Sequence, residues 1–155
     1  MSLPHFIFSG TSYEQGLSHG EALKESIENN ISVYLSRFET EAGITNNKLL
    51  DNAKLYLAAL HEQSPEYVSG INGISEGSNL DINKIAMLNL RYELLYSALG
   101  KRYLEEIIDG CTSFAILPEA TKNNRLIMGQ NWDWIPEVDC VITTSKDVDG
   151  LQRLS

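Results

Sequence analysis

Asp109-Gly110-Cys111-Thr112-Ser113-Phe114-Ala115-Ile116-Leu117 is where the chain changes texture. Upstream of it, apolar residues recur every three or four positions, the spacing of one helix face. From Cys111 onward they come in short runs with β-branched and aromatic residues, as in strands. The expected class is therefore α+β, with a helical segment over 1–110 and a strand segment over 111–155 sharing one domain. Cys111 to Leu117 and Arg125 to Asn131 flank Pro118 to Asn124, a stretch rich in turn formers, so the two runs are expected to pair as an antiparallel hairpin. Cys140 to Thr144 reads as a third strand. The ending, 146–155, carries no run long enough to close a sheet. An open strand edge and an uncovered apolar face would then favour self-association.

The helical segment divides into four. His5 to Phe8 precedes it as a short strand. Ser12 with Gln15 three residues on is a capping box, and Tyr13, Leu17, Leu23, Ile27, Ile31, Tyr34 and Phe38 extend a helix to Thr40. Gly16 and Gly20 are one turn apart on it and allow a neighbour to approach closely. A second helix over 47–63 is expected to bury Leu50, Ala53, Leu57 and Leu60. Ser64-Pro65 starts a third, with Val68, Ile71 and Ile74 inward. Asp81 caps a fourth, whose Ile85, Leu88, Tyr92, Leu95 and Leu99 run to Gly100.

With 155 residues the chain suits one domain, and 43% hydrophobic and 21% charged residues describe an ordinary globular protein. A net charge of -9 argues against nucleic acid or an anionic membrane as partner, since either needs a basic patch. No stretch reaches the roughly 20 apolar residues of a membrane helix. The apolar start lacks the basic flank and cleavage site of a secretory signal, so the expected location is intracellular. Two cysteines, Cys111 and Cys140, make neither a disulfide framework nor a four-ligand zinc site. Neither a metal nor a cofactor is assigned.

Two features point to chemistry. Cys111 follows a glycine at a strand start, where a thiol can attack the carbonyl of a strained preceding peptide bond; the plainer alternative is a small buried apolar residue. Gly129-Gln130-Asn131-Trp132-Asp133-Trp134 ends the strand expected to lie beside it. Asp133 could there orient an amine next to Cys111, with Asn131 as a further polar contact; the alternative is a turn whose tryptophans cover a core edge. His5, His19 and His61 are the possible partners for a cysteine–histidine pair, and no pattern places any of them near Cys111. His19 reads as packing against the sheet. Asn89, Arg91 and Glu93 read as a solvated face of the fourth helix, or as an inward Arg91–Glu93 arrangement.

These motifs, in order, resemble those of the isopenicillin-N acyltransferase family, the acyl-CoA:6-aminopenicillanic-acid acyltransferases. The resemblance is carried by Asp109-Gly110-Cys111-Thr112 and Gly129-Gln130-Asn131-Trp132-Asp133. Gly10-Thr11 with Glu14, Gly16, His19 and Gly20 adds to it, as does Met87-Leu88-Asn89 with Arg91 and Glu93. It spans about residues 5 to 135. It implies the αββα sandwich of N-terminal-nucleophile enzymes, made as a precursor that cuts itself between Gly110 and Cys111. The freed α-amine then serves as base for the Cys111 thiol, and Asp133 matches an acidic residue near that amine. The implied reaction is acyl transfer or amide hydrolysis on a small-molecule amide or thioester, and the implied location is cytoplasmic or peroxisomal. Family members are considerably longer and draw an oxyanion-binding asparagine and often a pocket arginine from their later parts. The expectation is that this chain is the front portion of such an enzyme. The other expectation is a catalytically silent fragment that binds a full-length relative.

Overall fold

The structure, a computed structural model, describes residues 3–95, 97, 111–131 and 134–154. The elements run β1 (His5–Ser9), α1 (Ser12–Ala42), α2 (Asn46–Gln63), α3 (Pro65–Ser78), α4 (Ile82–Asn89), β2 (Thr112–Ile116), β3 (Ile127–Asn131), β4 (Ile142–Lys146) and β5 (Gln152–Leu154). A mixed α+β fold with the long helices ahead of most strands is what the change of texture at Cys111 predicts. Among the described residues no helix is long and apolar enough to cross a membrane.

The cap of α1 sits one residue earlier than expected. Thr11 takes the cap position and exchanges bonds with Glu14, whose carboxylate is held below its usual range by the Thr11 backbone N–H and then by its hydroxyl. Thr11/Glu14 and Ser12/Gln15 have the same spacing. What separates them is Gly10, whose φ of 110° turns β1 into the helix at a value that suits glycine. Gln15 is left free of the cap and bonds elsewhere. Its Nε2 donates to the Gly10 carbonyl at 2.7 Å and to Lys146 O at 3.3 Å, tying α1 to the end of β4.

Helices α1 and α3 touch backbone to backbone. A Cβ placed on Gly16 would land on the Gly70 carbonyl oxygen, one on Gly20 on the Ile74 carbonyl, and one on Gly73 on the Tyr13 carbonyl. The expected close packing at Gly16 and Gly20 is therefore present, with α3 as the neighbour. Beyond Gly20 the first helix kinks at Leu23 (φ -121°, ψ 19°), so it is not the straight rod its length suggests. α3 ends at Ser78, opposite Gly20. Past that point Ile27, Ile31, Tyr34 and Phe38 join the common core with Leu49, Ala53, Ile85 and Met87.

Three local expectations are corrected. In α2 the fully buried leucine is Leu49, while Leu50, Leu57 and Leu60 are half-buried. Ser64 precedes Pro65 as expected but makes no side-chain cap bond. The fourth helix is interrupted: Asp81 caps it through the Asn83 N–H at 2.8 Å, Leu90 closes α4 with φ -104° and ψ 15°, and 91–95 resume as helix. The expected end at Leu99 and Gly100 lies outside the described residues.

The described strands form two sheets. β2 and β3 pair antiparallel with Thr112 opposite Asn131 and Ile116 opposite Ile127, the expected hairpin. The other sheet has the order β1-β4-β5, in which β1 runs parallel to β4, with His5 opposite Ile142. The third expected strand is thus present two residues late. The 146–155 tail, expected to lack a usable strand, turns at Gly150 and adds β5 antiparallel to β4, with Arg153 paired to Asp147 at 2.9 Å.

Both faces of the β2–β3 hairpin carry exposed apolar side chains. Alternation puts Phe114, Ile116 and Ile127 on one face and Ala115 and Met128 on the other. Phe114 is 53% exposed and Met128 72%. The Phe114 ring lies across Gly129, where a Cβ would collide with it.

Candidate active site

Cys111 stands immediately ahead of β2 and is half-buried. Its neighbour Thr112 is the register partner of Asn131, the last residue of β3. The hairpin therefore brings the Cys111 end of one strand and the Asn131 end of the other to the same edge, as the two motifs require. Gly110, Asp133 and the separation of Cys111 from Asp133 lie outside the described residues. Cys111 and Cys140 are not bonded to each other.

The segment after β3 is fixed to the helices. Trp134 donates from Nε1 to the Tyr34 hydroxyl at 2.7 Å, and its ring lies 5.5 Å from that of Tyr92. Its alternative reading as cover for a core edge matches this position, for Trp134 and Ile135 pack against the buried cluster. Asn29 donates to Glu137 O at 2.8 Å. Asn30 both accepts from the Asp139 N–H and donates to the Asp139 carbonyl. α1 therefore holds the chain that leads away from the hairpin mouth. No periodicity could have found these two asparagines, because they face loop backbone more than 100 residues away in sequence.

The histidines serve elsewhere. His19 stacks on Phe8 of β1, with centroids 5.3 Å apart, as its reading as a sheet-packing residue anticipates. His5 Nε2 lies 2.9 Å from Thr144 Oγ1 across β1 and β4, and His61 is exposed in the last turn of α2. His19 also lines a cleft of about 260 Å³ with Gln15, Tyr67, Asn89 and Ser145. Burial there holds its imidazole below the usual histidine range. The unfolded chain then binds the proton more readily than the folded one. Stability should be intact above the unfolded value of 6.5 and decline as pH falls from there through the folded value. His19→Phe keeps a ring on Phe8 and removes the titration. Urea unfolding at about pH 7.5 and about pH 5 should show a smaller drop for the variant than for wild type. Equal drops would place the acid sensitivity in other groups.

Asn89 and Arg91 are half-buried, not a solvated face. Tyr67 donates to Asn89 Oδ1 at 3.1 Å, and Asn89 donates to Ile85 O at 3.0 Å. Arg91 donates to Leu88 O at 2.9 Å and lies over the Tyr34 and Tyr92 rings, whereas Glu93 is exposed. An inward Arg91–Glu93 pair is not formed. No family model matches the chain.

Proposed function

We propose that Cys111 is the nucleophile of a self-processing thiol acyltransferase or amide hydrolase. The observation that supports it most is the hairpin register: Thr112, the residue after Cys111, pairs with Asn131, so the two motifs lie at the same end of the hairpin, and Cys111 is half-buried. The first step cuts the Gly110–Cys111 bond. The thiol sulfur adds to the Gly110 carbonyl, the C–N bond breaks, and the acyl group passes from nitrogen to sulfur. Water then hydrolyses the thioester, leaving a carboxylate on Gly110 and a free amine on Cys111. That amine titrates at about pH 8 and takes the thiol proton at neutral pH, which an amide nitrogen does not. Asp133 orients the amine, and Asn131 supplies a polar contact. In turnover the thiolate attacks a small-molecule amide or thioester and expels its amine or thiol, which takes the proton held on the Cys111 amine. The acyl group then leaves the sulfur on water or on an acceptor amine. No metal or cofactor enters this chemistry.

A slowly turned-over acyl amide given to the processed protein tests this. Mass spectrometry should find the acyl group on the peptide that begins at Cys111. Label on another residue, or none during turnover, would remove Cys111 from the nucleophile's role.

The two apolar faces of the hairpin favour a second reading, association of this chain with more of the same sheet. Strands with apolar side chains on both faces belong between two layers. Sedimentation of the isolated chain at micromolar concentration should show dimers or larger species, and Phe114→Lys combined with Met128→Lys should restore the monomer. A monomeric wild-type chain would mean that these faces do not drive association.

A further inference from the structure

Arg91 is held in an unusual way for a cation. Its guanidinium carbon lies 4.8 Å from the Tyr92 ring centroid and 5.8 Å from that of Tyr34, and one nitrogen donates to Leu88 O at 2.9 Å. Among the described residues it makes no ion pair. It lines a cleft of about 260 Å³ together with Leu88, Val138, Val141 and Cys140. Asp139 lines the same cleft, its backbone held by Asn30 at both the N–H and the carbonyl, and it is not ion-paired with Arg91. A half-buried guanidinium loses hydration and regains it best by binding an anion in the plane of its fork. Stacked tyrosines cover a flat guanidinium but leave its N–H edge for such a ligand.

We propose that this cleft binds the carboxylate of a small aliphatic acid, with Arg91 on the carboxylate and the hydrocarbon body against Leu88, Val138 and Val141. The negative charge of Asp139 on the same lining disfavours a doubly charged anion, so a monocarboxylate fits better than phosphate. The lining is mixed: Asn30 and Tyr34 add polar atoms beside Asp139, and Leu88, Val138 and Val141 form the apolar side that takes the hydrocarbon body. The site is independent of the chemistry proposed at Cys111, and its failure leaves that reading standing.

Cys140 reports on occupancy. Its thiol is pushed up by burial and then by the Asp139 charge, with Arg91 partly opposing, so it alkylates slowly and measurably in mild base. The experiment follows iodoacetamide labelling of Cys140 in the whole chain by peptide mass, with butyrate, butyramide or inorganic phosphate at matched ionic strength. Butyrate at about ten times its dissociation constant should slow labelling about tenfold. Butyramide, the uncharged isostere, should not slow it. Arg91→Lys keeps the charge and loses the planar fork, and should weaken butyrate about tenfold. If that variant fails to fold, the comparison of butyrate with butyramide in the wild-type protein decides alone. Equal slowing by butyrate and butyramide, no slowing by butyrate, or equal slowing by phosphate would each overturn the assignment.

Discussion

Replacing Cys111 with alanine is expected to lower acyl-amide turnover by about 1,000-fold or more, because no other group in the proposed mechanism forms the covalent intermediate. The same change should leave folding nearly intact. Cys111 precedes β2, is only half-buried and is absent from the main buried cluster, so its loss opens no cavity in the core. Thermal unfolding within a few degrees of wild type, together with loss of turnover, separates chemistry from stability. If Cys111→Ala keeps full turnover, the acyl group is carried by another residue.

The second large effect concerns stability. Gly16→Ala adds one methyl group where the Gly70 carbonyl oxygen stands. Helix propensity alone predicts a gain of about 1 kcal/mol from this change. The collision predicts the opposite, because α1 and α3 must separate along the interlocked stretch from Gly16 to Gly20. Overpacking of this kind typically costs about 1–3 kcal/mol, and more where backbone has to move. The two effects differ in sign, and a net loss of about 2 kcal/mol is expected from denaturant unfolding. A stabilised Gly16→Ala protein would show that the helices do not pack as closely as described.

Local and antiparallel features were legible in the sequence. The β2–β3 register follows from two apolar runs around one turn, and the Asp81 cap follows from a carboxylate ahead of a helical run. The Gly16–Gly20 spacing announced a close helix contact, although not that α3 would supply it. What failed were choices between equivalent neighbours and pairings at long range. Thr11/Glu14 and Ser12/Gln15 satisfy the same capping rule, and only the turn at Gly10 decides between them. Leu49 and Leu50 are both leucines near the buried side of α2, and the helix rotation that chooses Leu49 is set by tertiary packing. The parallel pairing of β1 with β4 joins residues 137 positions apart, as in His5 and Ile142, and no period reaches that far.

The site was legible in the same uneven way. The Cys111 and Asn131 motifs come to the same end of one hairpin because they flank one turn, with Thr112 opposite Asn131. Arg91 is turned inward, one of its two readings, but not towards Glu93; its tyrosine partners come from α1 and from the neighbouring position, which alternation on one helix does not reveal. Asp133 stays an assignment from family resemblance.

Intact mass spectrometry of the protein that carries this segment tests the central claim most directly. Two fragments are expected, the second beginning at Cys111, and Cys111→Ala should give one uncut chain. A wild-type protein that hydrolyses an acyl amide while remaining uncut between Gly110 and Cys111 would contradict the account, because Cys111 would then have no free amine to serve as its base.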